Sequence, residues 1–95
     1  MADYYRIINI TDHGDMQKID PEVIDRIGRI VELKWYEPGV SVLMECIVPG
    51  PHKSIITSPL RKMEMRGKNV TLTTENSKYF LEKVDSKVVE NESRV

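Results

Sequence analysis

Ninety-five residues, 40% of them hydrophobic and 31% charged, with a formal net charge of -1, suit one small globular domain and exclude a second core, a fibre and wholesale disorder. A single cysteine, Cys46, excludes an internal disulfide framework and a cysteine zinc site. No apolar run approaches the roughly 18 residues of a membrane helix, and the opening residues 1–6 carry Asp3, Tyr4 and Tyr5 where a secretory signal would be basic and then apolar, so a cytoplasmic chain with no membrane partner is expected.

Tyr4 to Thr11 is rich in aromatic and β-branched residues and runs into the turn-prone Asp12-His13-Gly14-Asp15, which predicts a first strand and a loop. Asp20 then suits a helix N-cap, Pro21 the first helical position and Gly28 the stop. Ile19 and Ile24 occupy staple positions, and Glu22 and Arg26 are spaced for an i,i+4 pair. A helix of about two turns follows, with Val23, Ile24 and Ile27 covering apolar surface.

Residues 29–36 alternate, placing Val31, Leu33 and Trp35 on one face and Glu32, Lys34 and Tyr36 on the other. Glu37-Pro38-Gly39-Val40 has proline and glycine where a type II turn needs them, and alternation resumes from Val40 to Ile47. A hairpin is the natural consequence. Pro49-Gly50-Pro51 breaks the chain, and residues 54–58 before Pro59 fit a short edge strand. Residues 60–65, 70–74 and 78–84 follow as a meander, with turns at 66–69 and 75–77.

Six or seven short strands around one short helix define a mostly β fold. The favoured form is a small SH3-like or Greek-key antiparallel barrel, because closure removes aggregation-prone edges. The alternative is an antiparallel sheet with a helix packed on one face. Residues 1–84 make the domain, and residues 85–95, without aromatic anchors or sustained period, are expected to be a disordered or frayed tail.

Candidate chemistry is sparse. Cys46 with His13 or His52 is the one nucleophile–base combination, and a small thiol within an alternating strand reads first as core. Asp12, His13 and Asp15 have the chemistry of metal ligands but sit in consecutive loop positions that a turn explains, so no metal is assigned. Gly50 and Gly67 lack a phosphate-loop pattern, so no cofactor is assigned and no catalytic residue is named.

Charge supplies the better lead. Residues 1–50 carry five Lys/Arg against nine Asp/Glu (-4), residues 51–84 seven against three (+4), and residues 85–95 two against three (-1). Lys62 and Arg66 share a strand face with Glu64, and if Lys68 and Lys78 converge with them the four cations can meet phosphates. A charged strand edge that prevents aggregation accounts for the same pattern. Tyr36 is the freer of the two hairpin aromatics and the candidate contact for a protein partner. Met44, Met63 and Met65 read as core fillers.

Thr57-Ser58-Pro59, followed by Thr74-Glu75-Asn76-Ser77-Lys78-Tyr79-Phe80-Leu81, resembles a pattern in small uncharacterised bacterial and phage-borne proteins, in which a Thr-Ser-Pro element precedes a strand ending Thr-x-Asn-Ser-x-Tyr-x-Leu. The resemblance spans about a third of the chain and implies a fold and a mobile-element origin, with no activity attached. The expectation is a non-enzymatic interaction module with a protein partner, self-association along an edge or a homodimer included. The alternative is a small nucleic-acid-binding β-barrel using the basic region 51–84.

Overall fold

The alternation in the sequence becomes strands wherever one side chain in two has an interior to enter. In the computed structural model, which describes residues 3–48 and 53–93, the elements are β1 (Tyr4–Thr11), α1 (Pro21–Ile24), β2 (Ile30–Trp35), β3 (Ser41–Val48), β4 (Lys53–Arg66), β5 (Asn69–Thr74), β6 (Lys78–Val84) and α2 (Ser86–Ser93). All neighbouring strands pair antiparallel in chain order, and β1 pairs β6 to close the ring. The expected barrel is thus the observed architecture. Its strand order is a plain meander without a Greek-key crossover. Each strand has a neighbour on both sides over part of its length: β4 pairs β3 through residues 53–59 and β5 through residues 60–66.

Ile7, Ile10, Val31, Val42, Met44, Cys46, Leu72 and Leu81 are fully or almost fully buried inside the ring, with Tyr5, Ile55, Leu60, Val70 and Tyr79 around them. Val23 and Ile27 pack against this core from the α1 segment. The helix itself is a single turn of four residues, continued by turns to Gly28, whose φ of 91° suits only glycine. Three sequence expectations fail here. Asp20 makes no side-chain cap, Ile19 is 81% exposed, so no staple forms, and the i,i+4 ion pair is Asp25–Arg29 at 2.8 Å. Arg26 instead donates to the Tyr79 hydroxyl at 2.6 Å. Pinning the segment to the barrel replaces self-stabilisation of a helix too short to have any.

Bulges decide the remaining differences. Ile7 lies opposite Leu81 and Asn9 opposite Phe80, so Ile8 is extra and turns out to solvent while Ile7 and Ile10 both enter the core. In β2, Leu33 lies opposite Met44 but Trp35 lies opposite Leu43, with Lys34 extra. Parity reverses at that residue, and Trp35, expected in the core with Val31 and Leu33, is 57% exposed. Met65, also expected inside, is 60% exposed, whereas Met44 is buried and Met63 partly so. The turn at 37–40 is as expected: Gly39 has φ 88° and the Val40 amide donates to the Glu37 carbonyl at 3.0 Å.

The two segments read as separate strands on either side of Pro59 are one 14-residue strand, β4. Its first half pairs β3 and its second half β5, with irregularities on both sides of the proline. Because Pro59 has no N–H, hydroxyls take over. Val42 N–H donates to Thr57 Oγ1 at 3.0 Å, and Ser58 Oγ–H donates to Thr74 Oγ1 at 2.9 Å. The amides of Glu75 and Asn76 donate to the Pro59 carbonyl and to Ser58 Oγ, both at 3.0 Å. Thr57-Ser58-Pro59 and Thr74-Glu75-Asn76-Ser77 therefore clasp one another as a structural latch.

Within residues 85–95, expected to fray, Ser86–Ser93 form α2 instead. Val89 packs with Ile30 and Val48 in a second apolar cluster joined by Tyr4, Ile47, Val84 and Val88, and Arg6 pairs with Glu92. The Val88–Val89 pair supplies the anchor, since one face of two turns is enough when a barrel already presents Ile30 to it. The expected break at residues 49–51 lies outside the described residues.

Candidate functional site

Strand register, which sequence cannot give, sets the outer surface of β4, β5 and β6. Lys62, Thr73 and Lys78 lie side by side, then Glu64, Thr71 and Phe80, then Arg66, Asn69 and Glu82. With rows about 6.7 Å apart along the strands and neighbours about 4.8 Å apart across them, Lys62, Arg66 and Lys78 mark the corners of a triangle with edges of about 10–16 Å. Inside it lies an open hollow of about 540 Å³, lined by these three cations with Glu64, Asn69, Thr71, Thr73, Phe80 and Asp15. Three of the four cations singled out from sequence come together.

Lys68 does not join them. It sits in the two-residue turn with Gly67, beside Lys83, Val84 and Asp85 in a second hollow of about 400 Å³. Tyr36 is 52% exposed, follows the end of β2 and lines neither hollow. Phe80 is the residue that sequence reasoning missed as a site member. The available signal was its place one residue from Tyr79 on an alternating strand: one of the two had to face out, and Tyr79 is the one inside.

The hollow is neutralised only in part. Lys78 Nζ lies 3.1 Å from Asp15 and Lys62 Nζ 3.3 Å from Glu64. Arg66 has no ion pair among the described residues. Asp15 reaches Lys78 from a loop built by local bonds: Asp12 Oδ1 accepts from the amides of Gly14 (2.8 Å) and Met16 (3.0 Å), and Asp15 itself has φ 64°. His13 Nε2 lies 2.7 Å from the Thr74 carbonyl and fastens this loop to the latch. Asp12, His13 and Asp15 are thus each engaged in holding the loop.

A second feature lies on the outer surface of β2, β3 and the first half of β4. Trp35 is opposite Leu43, and Leu43 is opposite Ile56, forming one row across three strands. Trp35 and Ile56 are 57% and 65% exposed, Leu43 is half-buried, and Tyr36 follows Trp35 directly. Beside the row Lys34 is held 2.8 Å from Glu32 and 3.8 Å from Glu45, and the Glu32 hydrogen bond is the main cause that raises its pKa. Glu37 adds a third carboxylate at the turn.

Cys46 is buried. Arg29 Nη1 donates to its sulfur at 3.5 Å, and its thiol donates to the Val48 carbonyl at 3.6 Å. The thiol hydrogen bond is the largest cause that raises the Arg29 pKa. His52 lies outside the described residues. No group of three or more His, Cys, Asp or Glu positioned to hold a metal ion occurs among the described residues, and none of their helices is long and apolar enough to cross a membrane. Compared with protein-family models, curated proteins and solved structures, the chain matches none.

Proposed function

We propose that this protein is a non-enzymatic interaction module that engages a protein partner through the Trp35–Leu43–Ile56 row. The observation that carries the reading is the bulge at Lys34, which turns the one tryptophan out of the core and aligns it with Leu43 and Ile56 on a rigid outer surface. Burying a tryptophan here would have contributed several kcal/mol to folding. Held outside in one row with Leu43 and Ile56, it instead offers an aromatic and aliphatic anchor set of the kind that dominates interface energetics.

The surroundings indicate the partner's chemistry. Glu32 and Glu37 against Lys34 leave the rim of the row acidic, which favours a partner whose apolar side chains are flanked by lysine or arginine. Recognition in this reading works through the exposed side chains of the row. The buried, hydrogen-bonded Cys46 and the loop-bound His13 support a binding role over a catalytic one.

The test is photo-crosslinking in cells from a reactive residue placed at Tyr36, followed by binding measurements with the purified captured protein. Ile56→Glu and Trp35→Ala are each expected to weaken that binding at least tenfold, while Met65→Glu, exposed elsewhere on β4, leaves it unchanged. Capture of a second copy of this chain, lost in the same variants, would identify the partner as itself. Binding indifferent to both row variants would overturn the proposal.

A further inference from the structure

Independently of the apolar row, we infer that the hollow on β4, β5 and β6 is a binding site for single-stranded nucleic acid. Three observations converge on that ligand class. The first is the placement of cations: Lys62 and Lys78 flank Thr73 at one end and Arg66 stands at the other, two rows away. A single phosphate cannot touch all three corners of a triangle this wide, whereas a backbone carrying successive phosphates passes them in turn.

The second is Phe80, half-buried in the middle row and lining the hollow between the cations. A lone anion has no use for an aromatic face, and a nucleobase does. Stacking on an aromatic ring is how sequence-tolerant single-strand binders hold bases between phosphate contacts. A paired base inside a duplex does not offer its face to a side chain on a sheet, so the ring selects for unpaired strands.

The third is the mixture of polar groups. Glu64, Asn69, Thr71 and Thr73 share the floor with the cations, and a carboxylate there is a liability for binding phosphate alone. Beside a stacked base it becomes an acceptor for an exocyclic amine, with the threonines and asparagine completing the base edge. Existing ion pairs oppose little. Lys62–Glu64 and Lys78–Asp15 are surface contacts of small net worth, and Arg66 has no ion pair among the described residues to give up. The Asp15 carboxylate on Lys78 marks where an incoming phosphate docks.

The test measures fluorescence anisotropy of a labelled mixed-sequence 12-mer, as single-stranded DNA, single-stranded RNA and duplex, with inorganic phosphate and nucleoside monophosphates as competitors. Single strands are expected to bind. Contacts to three phosphates give a slope of log affinity against log salt of about -2, hence roughly a 20-fold loss between 50 and 200 mM salt. Lys62→Glu with Arg66→Glu abolishes the binding, Phe80→Ala weakens it about tenfold or more, and Phe80→Tyr restores it. Circular dichroism melts confirm that each variant is folded, and the two charge variants lie on exposed positions where folding is insensitive. No binding at 50 mM salt, equal binding by the double variant, tighter binding of duplex than of single strands, or full competition by millimolar inorganic phosphate would each overturn the inference.

Discussion

Replacing Thr74 by valine changes almost no volume and removes one oxygen, and the latch predicts a large cost. Thr74 is fully buried. Its Oγ1 accepts from Ser58 Oγ at 2.9 Å and from the Ser77 amide at 3.2 Å, and donates to the Ser77 carbonyl at 3.0 Å. Each hydrogen bond has a net worth of about 1 kcal/mol, and a buried donor left without a partner, here the Ser77 amide, costs about 1–3 kcal/mol. The extra methyl returns about 0.8 kcal/mol of apolar burial. The expected loss is about 2–3 kcal/mol, which for a domain of this size lowers Tm by about 10–20 °C. Urea denaturation followed by circular dichroism measures it, with Thr73→Val, one residue along on the outer surface, as a control changing stability by less than about 0.5 kcal/mol. A Thr74→Val loss below about 1 kcal/mol, at unchanged m-value, would refute the latch as a source of stability.

Because Trp35 is exposed by the bulge at Lys34, its fluorescence in the native protein is expected to be red-shifted and readily quenched by acrylamide. Trp35→Ala should cost less than about 1 kcal/mol, against about 3–5 kcal/mol for a tryptophan in a core; blue-shifted, protected emission would place the ring inside and remove the row. Tyr5 supplies a pH dependence. Burial is the main cause raising its pKa above the ordinary phenol range, so the folded state holds the phenolic proton more tightly than the unfolded chain. The stability this contributes is fully present below about pH 10 and is lost as pH rises through the higher folded value. Tyr5→Phe should flatten that part of the alkaline loss of stability, and an identical profile in both proteins would contradict it.

Period-two patterning carried the strands, and the Pro38-Gly39 pair the hairpin turn, because each of these is written in local sequence; the barrel followed from the advantage of leaving no bare edge. Bulges at Ile8 and Lys34 are not. An extra residue reverses which face its successors occupy without altering composition, and so Trp35 was placed inside by a pattern that held only as far as Leu33. Pro59 read as the end of a strand, since sequence shows the missing N–H but not the hydroxyls of Thr57 and Ser58 that compensate for it. The grouping of Lys62, Arg66 and Lys78 was legible as far as strand parity reaches. Their union with Phe80, and the exclusion of Lys68, depend on register between strands far apart in sequence.

Closing the ring through β1 and β6 sets a timetable for folding. Tyr4 finds its partner in Val84, about eighty residues later, whereas every other strand pairs with the next one along. Until β6 exists, β1 has only β2 beside it and the growing sheet has two bare margins. The final pairing is thus the most distant in sequence, and it carries the largest loop-closure entropy of any in the fold. Contacts of such separation slow folding into the millisecond-to-second range, and during that interval a half-built sheet is sticky in a way the finished ring is not. Mutations in the first or last strand are expected to lower soluble yield more than their effect on the equilibrium stability of the completed ring would suggest.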